Sequence, residues 1–259
     1  MRVKNKIQSS KSIFSAVLLF TAVTTMKAAN VTVDPGTLTS GFMNVFNLPA
    51  GATVLPPGGG GPNGPANGAF QFNGGWGPAD LVSSFSGTTL TLAANQINDA
   101  NIYWYQGPNV NNGAPGAPGN KIMDANLYNQ TTGVYVNQTL TFSGNVSFNA
   151  LNGAVNPYNN TTYSSVAFIK DFAADFSSFT SSTIPLAPGV FNISLLTSAD
   201  PGHHIQYGFE TIGSDVWAGD PLFAGGNLTA IINPFVVPEP SAFALCGLAA
   251  LALIRRRNK

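Results

Sequence analysis

Charge is what this sequence has least of. Only 8% of its 259 residues are Asp, Glu, Lys or Arg, against about 25% in an ordinary globular domain. The few charges are also segregated. Arg2, Lys4, Lys6, Lys11 and Lys27 lie near the start and Arg255, Arg256, Arg257 and Lys259 at the end, leaving Lys121 and Lys170 as the basic residues of the middle. Against these two stand ten of the eleven acidic residues, so the middle carries a net charge of −8 although the whole chain sums to zero. Neutralising a phosphate backbone needs clustered Lys and Arg, so a nucleic-acid partner is excluded. A divalent cation is the more natural companion of such a region.

Other reactive groups are as scarce. The single cysteine, Cys246, excludes an intramolecular disulfide, so whatever folds must be held by its core alone. The only histidines are His203 and His204, and Glu210 is the only glutamate before Glu239. A serine nucleophile needs a base and an orienting acid, and no Gly-x-Ser-x-Gly elbow is present. Glycoside hydrolysis needs two carboxylates, which only aspartates can complete. The expectation is a non-catalytic protein, with a secreted glycan-active hydrolase or lyase as the alternative from another class.

What the chain does have is two addressed ends. Residues 1–29 join a basic start to an apolar run from Ile13 to Val23 and small residues at Ala28 and Ala29, the pattern of a secretory signal peptide. At the other end Val236-Val237-Pro238-Glu239-Pro240-Ser241 is an extended joint, since two prolines cannot sit in a helix interior or a central strand. An apolar run from Ala242 to Ile254 and the cluster Arg255-Arg256-Arg257 follow. The arginines favour the cytoplasmic side of a bilayer. The thirteen apolar residues are short against the roughly 20 needed to span it; by length alone a short anchor and a buried core helix both remain open.

Val237, Pro238, Glu239, Pro240 and Ser241, with the apolar run and Arg255, Arg256 and Arg257, resemble the PEP-CTERM sorting tail of Gram-negative bacteria. The resemblance covers residues 236–259. It implies a short transmembrane helix, processing by the membrane-embedded protease exosortase, and association with extracellular polysaccharide and biofilm. The protein would then be exported, held at the inner membrane with its middle in the periplasm, and delivered to the cell surface or beyond.

The middle, residues 30–235, reads as short strands. Leu140, Phe142, Val146 and Phe148 alternate with polar residues, as do Thr88–Leu92, Phe191–Leu195 and Ile205–Phe209, the period of a half-buried strand. The expected fold class is all-β: one two-sheet β-sandwich, jelly-roll-like, flanked by the signal helix and the short transmembrane helix. Gly189–Leu195 and Gln206–Glu210 bear a general resemblance to carbohydrate-binding jelly rolls. Ala50–Asn67 and Gln106–Asn120, rich in Pro and Gly, are expected to be mobile surface loops.

Tyr103, Trp104 and Tyr105 read as part of a strand, with Trp104 on one face and the tyrosines on the other. Flat exposed rings stack on sugars, so these three, with Trp76, Trp217 and Tyr158, are candidates for binding exopolysaccharide; as core residues they would fill space instead. For calcium, which takes oxygen ligands, the candidates are Asp34, Asp124 and Asp220, with Asp99, Asp200 and Asp215 in similar settings, although no contiguous Asp-x-Asp-x-Asp-Gly loop occurs. No other cofactor is expected. His203 and His204 follow Asp200-Pro201-Gly202, a turn before a strand, and project in different directions, which suits shared metal ligation poorly.

Overall fold

The computed structural model describes residues 27–48, 68–105 and 115–235. The expected signal segment up to residue 26, the expected sorting tail from residue 236 and the segments 49–67 and 106–114 lie outside the described residues.

In chain order the strands are β1 (Lys27–Thr32), β2 (Ser40–Asn47), β3 (Phe70–Gly75), β4 (Ser83–Ser86), β5 (Thr89–Ala93), β6 (Gln96–Ile97), β7 (Lys121–Thr132), β8 (Gln138–Asn149), β9 (Ser164–Phe172), β10 (Phe179–Pro185), β11 (Gly189–Leu196), β12 (His204–Ser214), β13 (Val216–Trp217) and β14 (Thr229–Pro234). A 3-10 turn at Pro221–Gly226 is the one helical element among the described residues, none of which forms a helix long and apolar enough to cross a membrane. The protein is all-β.

Two six-stranded sheets carry the architecture. The first runs β1-β8-β14-β5-β4, with β11 also on β8; the second runs β10-β9-β12-β7-β2-β3. A short third sheet pairs β13 with β6. Every pairing in the two large sheets is antiparallel except that of β1 with β8. Strands β1 and β14 share one edge of β8 end to end, and they meet where the Phe235 amide donates to Thr32 Oγ1 at 2.9 Å. The boundary expected after Ala29 therefore falls inside β1.

The alternation in β8, β11 and β12 turns one face of each strand inward, and the two large sheets share a core. Leu90, Leu92, Leu140, Phe142, Val146, Phe191, Ile193 and Ile232 of the first sheet pack with Leu127, Ala167, Ile169, Ile205, Tyr207 and Phe209 of the second. Phe142 is the keystone, with ring centroids 5.3 Å from both Tyr207 and Phe209 and 5.4 Å from Phe191. Burial of a side chain of this size stabilises by roughly 1.5–3 kcal/mol.

Beyond the reach of the first sheet, loops close over the second one. Met43, Val45, Met123 and Ala125 pack with Leu81, Ile97, Tyr105 and Ala117 in a second core, bordered by Trp76, Trp104 and Trp217. The expectation that Gln106–Asn120 is a surface loop is corrected for its described part: Ala117 is fully buried and Gly119 is buried too. Small side chains explain it. An added Cβ on Gly119 would meet the Asp215 carbonyl oxygen at 2.1 Å, so only glycine lets the segment lie this close to the chain after β12.

Candidate functional site

Asn101 builds the local turn that carries the aromatic residues. Its side-chain oxygen accepts the Tyr103 amide at 2.9 Å and its carbonyl accepts the Trp104 amide at 3.0 Å, an Asx-turn of the kind Asn favours. Tyr103, Trp104 and Tyr105 therefore lie on a turn and not on a strand, which corrects the expectation of alternating faces. They separate by depth. Ile102 and Tyr103 are exposed, Trp104 is half-buried, and Tyr105 is fully buried, its hydroxyl donating to the Ile97 carbonyl.

Strand β3, which among the described residues pairs only with β2, brings the other half of the surface. Phe72 stacks beside Tyr103, with centroids 6.5 Å apart and planes at 29°, and it meets Trp104 edge-on at 6.2 Å. Trp104 stands at 90° to Tyr103 at 4.9 Å, and its indole N–H donates to Asp99 Oδ2 at 3.2 Å. Behind the Tyr103 ring, 4.2 Å from its centroid, lies the Lys121 ammonium. Burial pushes that lysine's pKa down, against the upward pull of the Asp215 carboxylate. Phe70, Phe72 and Tyr103 are each between 36% and 38% exposed, and Ile102 is 67% exposed. The exposed polar residues Gln71, Asn73, Asp99 and Asn101 lie next to them in the chain. The result is an aromatic platform of Phe72, Tyr103 and Trp104 with the Asp99 carboxylate and Asn101 at its border, whereas Asn73, opposite Asn44, belongs to the other face of the sheet.

Of the other expected ring residues, Trp76 follows β3 and donates its amide to the Gly41 carbonyl, Trp217 meets Tyr105 edge-on at 5.6 Å, and both are half-buried against the second core. Tyr158 lies elsewhere and donates its hydroxyl to Asp220 Oδ1 at 3.2 Å. Tyr105, wholly inside, presents no ring face to a ligand. Phe72 was not legible as a partner, because it stands 31 residues before Tyr103 and only the pairing of β3 with β2 brings it there.

The candidate calcium residues are not brought together. Asp34 accepts the Gly36 amide in the turn after β1, Asp124 sits in mid-β7, and Asp220 accepts the amides of Gly116 and Leu222. Asp99 bonds Trp104, Asp200 accepts the Gly202 amide, and Asp215 Oδ1 accepts the Lys121 amide at 2.9 Å. Among the described residues no group of three or more His, Cys, Asp or Glu is placed to hold a metal ion.

Two polar clusters went unanticipated. On the face of the second sheet turned away from the core, Lys170 Nζ donates to Glu210 Oε2 at 2.8 Å and to Asn126 Oδ1 at 3.0 Å. The amides of Asn126 and Asn44 in turn donate to Asp124 at 2.8 and 3.1 Å. All five side chains are buried. Burial, and then repulsion from Glu210, push the Asp124 carboxyl up, opposed by Lys170 and the two amides. The second cluster lines a cleft of about 470 Å³ between the far ends of β10 and β11. There Asp171 holds His203 Nδ1 at 2.6 Å with one oxygen and the Ser198 amide at 2.6 Å with the other. His204 turns away, as expected for adjacent histidines in extended chain, and stacks on Phe176 with centroids 4.3 Å apart.

Comparison with known protein families, with curated proteins and with solved structures finds no match for this chain.

Proposed function

We propose that this chain is an exported, exosortase-processed protein of the cell surface or extracellular matrix, non-catalytic, that binds exopolysaccharide through the aromatic platform. In this reading residues 1–29 are the signal peptide, residues 30–235 form a jelly-roll-like β-sandwich ectodomain, and residues 236–259 are the sorting tail with its transmembrane helix. Support for the address comes from Val237–Ser241 and Arg255–Arg257 in the sequence.

The observation that carries the binding role is the stacked pair of Phe72 and Tyr103 on an edge of the protein. A soluble protein has little reason to leave neighbouring aromatic rings open to water unless something lies on them. The pyranose ring offers a flat C–H face for such rings and equatorial hydroxyls for Asp99 and Asn101 beside them. Low charge suits the same partner, since a neutral surface of amides and hydroxyls exchanges hydrogen bonds with a polyol without desolvating ions. The glycan-active alternative draws on the Asp171 and His203 cleft. Both oxygens of Asp171 are already engaged there, so the pair works as a clamp on the loop before β12.

Retention of the protein in gels cast with the producer's own polysaccharide tests the reading, with retardation expected for the native chain and equal mobility in every gel counting against it. For the address, replacing Glu239 or Arg255–Arg257 is expected to trap the protein in the inner membrane, and unchanged release into the medium sinks that part alone.

A further inference from the structure

Two strands that carry no charge, at the edges of their sheets, point to a second surface. Residues 176–199 contain no Asp, Glu, Lys or Arg, and they form β10 and β11. Strand β10 pairs only with β9 and β11 only with β8 among the described residues, so each is the edge of its sheet on the same side of the molecule. Exposed edges present unpaired backbone donors and acceptors, and proteins normally blunt them with Lys, Pro or a bulge. Within β11 none of these devices is present: its register on β8 is unbroken over all eight residues. Its outward side chains are Val190, Asn192, Ser194 and Leu196, all exposed, with Val190 55% and Leu196 53% exposed.

The order of these side chains is self-complementary. In an antiparallel pair that keeps inner faces together, a strand meets its own copy across a two-fold axis through one residue. Placing that axis at Ile193 pairs the whole of 190–196. Val190 then lies opposite Leu196 and Asn192 opposite Ser194, while Phe191 and Leu195 continue the inner, apolar face. The two most exposed apolar side chains of β11 thereby cover each other, and the amide meets the hydroxyl. Moving the axis to Asn192 leaves Leu196 opposite Pro188, beyond the strand.

We propose that β11 is a self-association edge, through which a second copy of this chain adds its own β11 about a two-fold axis at Ile193 and joins the two first sheets into one. The partner is the same chain, because the match is between β11 and itself; the polysaccharide site lies on the opposite edge of the second sheet, at β3, and stays open in the pair.

Disulfide trapping reads the register directly. Opposed residues in an antiparallel pair have Cα atoms about 4.5–5.5 Å apart and diagonal neighbours about 7–8 Å, and a disulfide closes only below about 7 Å. Two differently tagged full-length chains, both Cys246→Ser, are co-expressed in the cell envelope and oxidised, one carrying Asn192→Cys and the other Ser194→Cys. The expected result is a mixed dimer at least five-fold more abundant than the dimer from two Asn192→Cys or two Ser194→Cys chains. Adding Leu196→Lys to both chains, an exposed change that leaves the melting temperature of the protein unaltered, is expected to lower it at least ten-fold. Equal trapping for all combinations, no trapping, trapping of a different protein only, or a mixed dimer that survives Leu196→Lys overturns the proposal.

Discussion

Lys170 Nζ lies 2.8 Å from Glu210 Oε2 with both side chains almost fully buried, on the face of the second sheet that points away from the shared core. A buried pair of this kind leaves an unpaired charge when one partner goes. Lys170→Met is therefore expected to destabilise the protein by about 3–5 kcal/mol, and the double change Lys170→Met with Glu210→Gln by clearly less than the sum of the single changes. Urea denaturation of the four variants checks it; additive losses would show that the two groups do not act together.

Asp215 sets a pH dependence of definite sign. Burial pushes its carboxyl up to about 8 in the folded protein, against the pull of the Lys121 amide, while an unburied aspartate has 3.8. The folded chain therefore holds this proton more tightly than the unfolded one. Its contribution is fully present below pH 4 and is lost as pH rises to about 8, with no further change above. Thermal melts from pH 4 to pH 9 are expected to show this downward slope, and Asp215→Asn to make it shallower, leaving the part that the raised Asp124 carboxyl adds in the same direction.

Tyr103 and Tyr105 differ in depth and in partners, and substitutions should separate them. Tyr105→Ala removes a fully buried ring and its hydroxyl's bond to Ile97, and is expected to cost about 3–5 kcal/mol. Tyr103→Ala, at an exposed position, is expected to change stability by less than about 1 kcal/mol. Melting temperatures of the two variants decide it; equal losses would place Tyr103 in the core as well.

These contrasts show what the sequence could and could not reveal. Strands β8, β11 and the first half of β12, up to Tyr207, are legible because one face of each meets the other sheet and the period of two survives. Strand β9 is not, because Ser165 to Asp171 are buried without a break and alternation disappears. The same burial hides Asp124, Asn126 and Lys170, whose polar side chains read as surface. Tyr103–Tyr105 looks like a strand by composition, and the Asn101 side chain decides otherwise. Partners far apart in the chain, such as Phe72 with Tyr103 or Asp171 with His203, carry no local signal. Only the pairing of strands unites them.

Phe72 and Tyr103 form the proposed polysaccharide surface. Affinity electrophoresis of the full chain and of the double variant Phe72→Ala with Tyr103→Ala, in gels containing the producer's exopolysaccharide, tests it most directly. Retardation of the native protein is expected, with at least a ten-fold larger dissociation constant for the variant, about 1.4 kcal/mol, and an unchanged melting temperature. Identical retardation of the two proteins, or none for either, would contradict it.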